Sequence, residues 1–126
     1  MARSIERYLR TLPKTHGIRY TEQVWNPPAD VYRTHNGEWV VKVELAGVDV
    51  NEIEIDAEGD ALSIIGSRRD SMCTESLLCH QLEIVYSHFE KTIRFPCSVE
   101  RAKRQTLYQD GLLIIRLRFA DDERCG

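Results

Sequence analysis

The segment Trp39-Val-Val-Lys-Val-Glu-Leu-Ala-Gly47 places Trp39, Val41, Val43 and Leu45 on one side of an extended backbone and Glu38, Lys42 and Glu44 on the other. A period of two with one apolar side is the pattern of a strand resting one face on a core. Val40 is the apolar exception outside. Just upstream, His35-Asn36-Gly37 offers the positive-φ residues that a tight hairpin needs, so residues 29–34 are read as the preceding strand. Downstream, Ile53, Ile55 and Ala57 alternate with Glu52, Glu54, Asp56 and Glu58, a strand whose all-acidic outer face resists edge-to-edge pairing. Glu58-Gly59-Asp60 turns into a strand over 61–68, with Leu62 and Ile64 inward and Gly66 marking a bend or a close backbone approach. Residues 88–95 put Phe89, Ile93 and Phe95 inward before Pro96 ends the strand. Asp110-Gly111 is a hairpin signal joining 103–109 to 112–119, where Leu113, Ile115, Leu117 and Phe119 fill the core and Leu112 and Ile114 add apolar surface outside. Short alternating strands joined by turn residues predict an all-β fold of packed sheets.

Two stretches break this ladder. Residues 70–85 form a gap much longer than the usual connection of about 4 to 6 residues, and long loops are commonly functional. Within it Leu77, Leu78, Cys79 and His80 can form a short strand, and two leucines are costly to leave wet, so the loop is expected to be pinned to its own sheet or to another subunit's. At the other end, Ile5, Tyr8, Leu9 and Leu12 fall at i, i+3, i+4 and i+7, the stripe of a short helix with Ser4 as N-cap and Pro13 as terminator. Such a helix is shorter than the ~12–15 residues that are marginally stable in water, so it orders only when its stripe finds a partner. Residues 15–23 are polar, and Trp25-Asn26-Pro27-Pro28 begins the domain because residues before proline are pushed to extended geometry. The chain is thus divided into an arm (1–24), a domain (25–119) and a tail (120–126).

The 126 residues are 42% apolar and 29% charged, the balance of a soluble globular domain. No run approaches the ~18 apolar residues of a membrane span, and the first residues lack a signal peptide's apolar core, which makes the cytoplasm the expected location. The arm has five cations against two carboxylates, +3, and the rest 12 against 18, −6. An acidic body of that kind repels a nucleic-acid duplex. The four cysteines are too few and too irregular for a disulfide framework and are expected to be reduced thiols. Cys73, Cys79, His80, His88 and Cys97 include no C-x-x-C pair, so no metal is expected, whereas Cys73, Cys79 or Cys125 could act as a redox reporter. There is no phosphate-cradling glycine loop, and neither the four histidines nor the carboxylate pairs Glu52/Glu54 and Asp121/Asp122 form a nucleophile–base set. No enzyme activity and no cofactor are expected.

Five segments in order, Trp25-Asn-Pro-Pro-Ala-Asp-Val-Tyr32, Glu44-Leu-Ala-Gly-Val48, Ala61-Leu-Ser-Ile-Ile-Gly-Ser-Arg68, Phe89-Glu-Lys-Thr-Ile-Arg-Phe-Pro96 and Tyr108-Gln-Asp-Gly-Leu-Leu113, resemble the alpha-crystallin domain of small heat shock proteins, in its bacterial and plant branch. The resemblance covers about residues 25–119. It implies an immunoglobulin-like antiparallel β-sandwich with a short N-terminal helical arm, and a homodimer in which a strand of the loop, over Leu77, Leu78, Cys79 and His80, is exchanged between partners. Departures are also visible. Phe119-Ala-Asp-Asp-Glu-Arg-Cys-Gly126 lacks the family's Ile-x-Ile tail, and the groove that receives it, expected at Ile53 and Ile55, has Arg104 and Thr106 on its other side in place of aliphatic or small residues. Lys91, Ala46 and Ser87 stand where relatives usually have arginine, proline and glycine. Large tail-built oligomers are therefore not expected.

The function implied is that of an ATP-independent holdase, which binds unfolding client proteins and delays their aggregation. The residues suited to it are Ile5, Tyr8, Leu9 and Leu12 on the arm, with Val40, Leu112 and Ile114 on the outer sheet. The alternative is a p23-like co-chaperone or dedicated interaction module, which keeps the fold but serves one partner.

Overall fold

A computed structural model describes residues 25–72 and 78–120. Seven strands follow in order: β1 (Ala29–Arg33), β2 (Trp39–Glu44), β3 (Glu54–Glu58), β4 (Ala61–Ser67), β5 (His88–Arg94), β6 (Lys103–Gln109) and β7 (Leu112–Arg118), with one 3₁₀ turn at Val50–Glu52. They pair antiparallel into a four-stranded sheet, β1-β2-β7-β6, and a three-stranded sheet, β3-β4-β5. The two inner faces meet as a sandwich. Val41, Val43 and Leu45 from one side of the β2 segment, with Leu113, Ile115 and Leu117 of β7, pack on Leu62, Ile64 and Phe89 of the smaller sheet. Trp39 meets Phe95 edge to face at 5.4 Å between ring centroids, an arrangement the ring quadrupoles favour.

The turns follow from residue chemistry. Asp110 and Gly111 have φ of 54° and 77°, the two positive values that a type I′ hairpin requires between β6 and β7. At the first hairpin only Gly37 has positive φ, contrary to the wider expectation for His35-Asn36-Gly37. The Thr34 backbone closes this turn by donating to the Glu38 carbonyl at 2.8 Å, while the Thr34 hydroxyl accepts the Glu38 N–H at 3.0 Å. Gly66 is a site of close approach: a Cβ there would lie 2.8 Å from Phe89 Cζ and 3.0 Å from the Glu52 carbonyl oxygen.

Several expectations need correction. Strand β6 keeps its sequence-based bounds, β1, β4, β5 and β7 stop one residue early, β2 loses one residue at each end, and Ile53 lies outside β3 because the 3₁₀ turn precedes it. Cys97 is disulfide-bonded, whereas Cys79 is a free, exposed thiol. The irregular spacing argued against a framework of bridges, and a single bridge does not require one. Strand β4 is buried along its whole length, on both faces, where alternation predicts one wet side.

Candidate interaction surfaces

Among the described residues no group of three or more histidine, cysteine or acidic side chains could hold a metal ion, and no helix is long and apolar enough to cross a membrane. The chemistry on offer is that of strand edges and apolar side chains.

Among the described residues, edge strand β1 has β2 on one side and no strand on the other, which leaves one row of its backbone groups for a further strand. Its Val31 and Tyr32 are 41% and 47% exposed. The loop between β4 and β5 adds more apolar surface: Leu78 is 98% exposed, and Met72, Leu82 and Ile84 are also exposed. Leu78, Cys79 and His80 have no regular secondary structure in the single chain. With Asp70, Met72 and Leu82 they border a pocket of about 370 Å³.

Arg68 fixes the end of this loop. Its Nε and Nη2 both donate to the Val85 carbonyl, at 2.9 and 2.7 Å, and Nη1 donates to the Ala46 carbonyl at 3.2 Å. The guanidinium also lies 3.8 Å from the centroid of the Trp25 ring, a cation–π contact. One side chain thereby ties the start of the domain, the turn after β2 and the return of the loop. Burial pushes the Arg68 pKa below its ordinary value, with Tyr86 and Glu44 opposing the shift.

The expected groove residues lie on the edge strands of different sheets or beside them. Ile53 and Ile55 are half-buried against the core, whereas Arg104 and Thr106 are exposed on β6. Arg104 belongs to a basic corner with Lys103, Gln105, Arg116 and Arg118 around a pocket of about 220 Å³. Lys103 stands directly opposite Arg118, whose Nε donates to Glu38 Oε1 at 3.0 Å. Val40, Leu112 and Ile114 are half-buried; beside Ile114, Leu107 is 53% exposed. Ile5, Tyr8, Leu9, Leu12, Leu77, Cys73 and Cys125 lie outside the described residues.

On the outer face of the smaller sheet, His88 and Glu90 of β5 are half-buried. Burial holds the His88 imidazole below its ordinary pKa. Burial also pushes the Glu90 carboxyl above its own. Glu90 Oε1 and the Ser67 hydroxyl are buried without a hydrogen-bond partner among the described residues.

Sequence reasoning missed Val31, Tyr32, Leu82 and Ile84. The alternation of Leu82 and Ile84 across Gln81, Glu83 and Val85 was available as a signal, but their exposure depends on the tertiary position of the loop.

Residues 31–124 match the model of the Hsp20/alpha crystallin family. Small heat shock protein C4 of Rickettsia felis is 26% identical over 103 residues, covering 82% of this chain and 63% of that protein. Small heat shock protein C2 of the same organism is 25% identical, and the match covers 62% of it, so the chain spans less than two thirds of the length of either relative. Among solved structures, hspA from Xanthomonas axonopodis superposes with a TM-score of 0.61 at 25% identity, over 76% of this chain and 95% of that one. Heat shock protein 16.0 from Schizosaccharomyces pombe gives 0.69 at 22% identity, over 81% and 79%, a likeness of fold.

Proposed function

Because the chain belongs to the Hsp20/alpha-crystallin family, we propose that it is an ATP-independent holdase, which binds exposed apolar segments of unfolding proteins and delays their aggregation. The observation that carries this reading is the open β1 edge combined with wet apolar side chains, Leu78 at 98% and Leu82 and Ile84 at 56% and 58% exposure. A folded monomer gains nothing from leaving such residues in water, since burying each contributes on the order of 1.5 to 3 kcal/mol. They suit a surface that meets another polypeptide. The open edge can add an extended segment through backbone hydrogen bonds, which are indifferent to sequence, and the apolar side chains supply contact area. Both features suit promiscuous recognition of non-native chains. They also suit a homodimer in which the loop of one chain lies along β1 of its partner. The arm residues Ile5, Tyr8, Leu9 and Leu12 add a second apolar surface in this reading.

The test is light scattering from a heated, aggregating client mixed with the purified chain at equimolar ratio and without ATP. Reduced scattering supports the holdase. Unchanged scattering together with a monomeric chain that binds one dedicated cellular protein supports the co-chaperone in its place.

A further inference from the structure

The outer face of β4 is buried, and neither sheet buries it. Ser63, Ile65 and Ser67 have the opposite parity to the core residues Leu62 and Ile64, yet their exposures are 0%, 1% and 1%. Antiparallel sheets commonly leave one face in water, and the outward side chains of a middle strand are then wet. Here the two sheets are the only regular layers among the described residues, and Ile65 is not part of the central cluster. On β5, His88, Glu90 and Thr92 are half-buried, whereas Glu54, Asp56 and Glu58 of β3 are exposed. The cover therefore runs along β4 and β5 and stops short of β3.

We propose that this strip is a docking site for residues 3–12 of the same chain, with the stripe of Ile5, Tyr8, Leu9 and Leu12 seated on Ile65 between Ser63 and Ser67. The point of entry favours it. Trp25 lies edge to face with Phe89 of β5 at 5.2 Å, and Lys91 Nζ is 3.4 Å from Asn26 Oδ1, so the chain joins the domain beside the β5 edge. Lengths agree as well: a ten-residue helix is about 15 Å long, and the seven-residue strands β4 and β5 are each roughly 23 Å long. The twelve residues from 13 to 24 can span up to ~40 Å, so the connection is not limiting.

Charge and shape complete the fit. The arm carries +3, while the strip contains Glu90 and is bordered by the exposed carboxylates of Glu54, Asp56 and Glu58. Serines at 63 and 67 let a backbone approach closely, and Ile65 is an apolar anchor between them. Docking covers the arm's apolar stripe at rest, and on the chaperone reading that stripe meets a client only after release. The docking itself does not depend on that reading.

The test places the photo-crosslinker p-benzoylphenylalanine at Leu9 in the full chain and maps the product after irradiation by peptide mass analysis. The expected product migrates as a monomer, with position 9 joined to residues 61–67 or 88–92. Links elsewhere in the chain, or a crosslinked dimer showing that a second copy fills the strip, overturn the proposal. A second measurement uses Glu90→Lys, which sets a cation against the cationic arm. Tryptic cleavage after Arg7 and Arg10 is expected to accelerate about tenfold, and an unchanged rate counts against the docking. Crosslinking without any suppression of client aggregation leaves the docking standing and removes the chaperone reading, so the two fail separately.

Discussion

Arg68 shows how one residue determines where a long loop returns. Its fork reaches two carbonyls from different segments and its face covers Trp25, a combination that lysine cannot reproduce. Charge-assisted hydrogen bonds contribute on the order of 1.5 to 3 kcal/mol each, so Arg68→Ala is expected to destabilise the domain by about 2 kcal/mol in urea unfolding, with Arg68→Lys recovering less than half. Gly66→Ala drives a methyl into Phe89 and is expected to cost about 1 to 3 kcal/mol by the same measurement. Half-buried His88 and Glu90 on β5 set opposite pH slopes. Folding lowers the His88 pKa, so its contribution is intact above pH about 6.5 and is lost as the pH falls through the lowered value. Folding raises the Glu90 pKa, so its contribution is complete below the ordinary carboxylate value and is lost as the pH rises through the elevated one. Urea midpoints between pH 4 and 8 should therefore lose their acid-side slope in His88→Gln and their rising-pH loss in Glu90→Gln. Of these roles only the close approach at Gly66 was legible in the sequence, because the others depend on what lies across a sheet or above it.

Strands and turns were the most legible level. Asp110-Gly111 requires a type I′ hairpin by its own chemistry, and the alternation from Trp39 to Leu45 requires one buried face; both are found in the fold. The same alternation could not show that β4 is buried twice over, since a period of two separates the faces of a strand and says nothing about what covers the outer one. It also could not place the loop, where Leu78 was read within a short strand but, like Leu82 and Ile84, lies in water in the single chain. Exposure of this kind makes a selective prediction. Leu78→Asp with Leu82→Asp should change chain stability by less than about 0.5 kcal/mol, as surface substitutions do, while shifting the proposed loop-exchanged dimer to monomer. Light scattering behind size exclusion reads the result: about 29 kDa, twice the 14.6 kDa chain, for the parent and the single-chain mass for the variant.

At the scale of the whole molecule, the sandwich carries the exposed apolar residues of the β4–β5 loop, Leu78, Leu82 and Ile84, and in the proposed function the arm residues Ile5, Tyr8, Leu9 and Leu12 add a second apolar surface. The family and its sandwich were readable from five ordered segments, each too short to decide alone. Of the residues expected at the groove, Ile53 and Ile55 lie at the core margin, while Arg104 joins a basic corner that no linear pattern groups together. The proposed docking of the arm on β4 and β5 stores apolar surface on the same domain that presents it. A light-scattering comparison sets the full chain against a form lacking residues 1–24, both added without ATP to a denaturing client and followed over time. The full chain is expected to suppress aggregation, and the shortened form, still β-folded by circular dichroism, to lose most of that protection. Equal protection by the two forms would contradict that expectation.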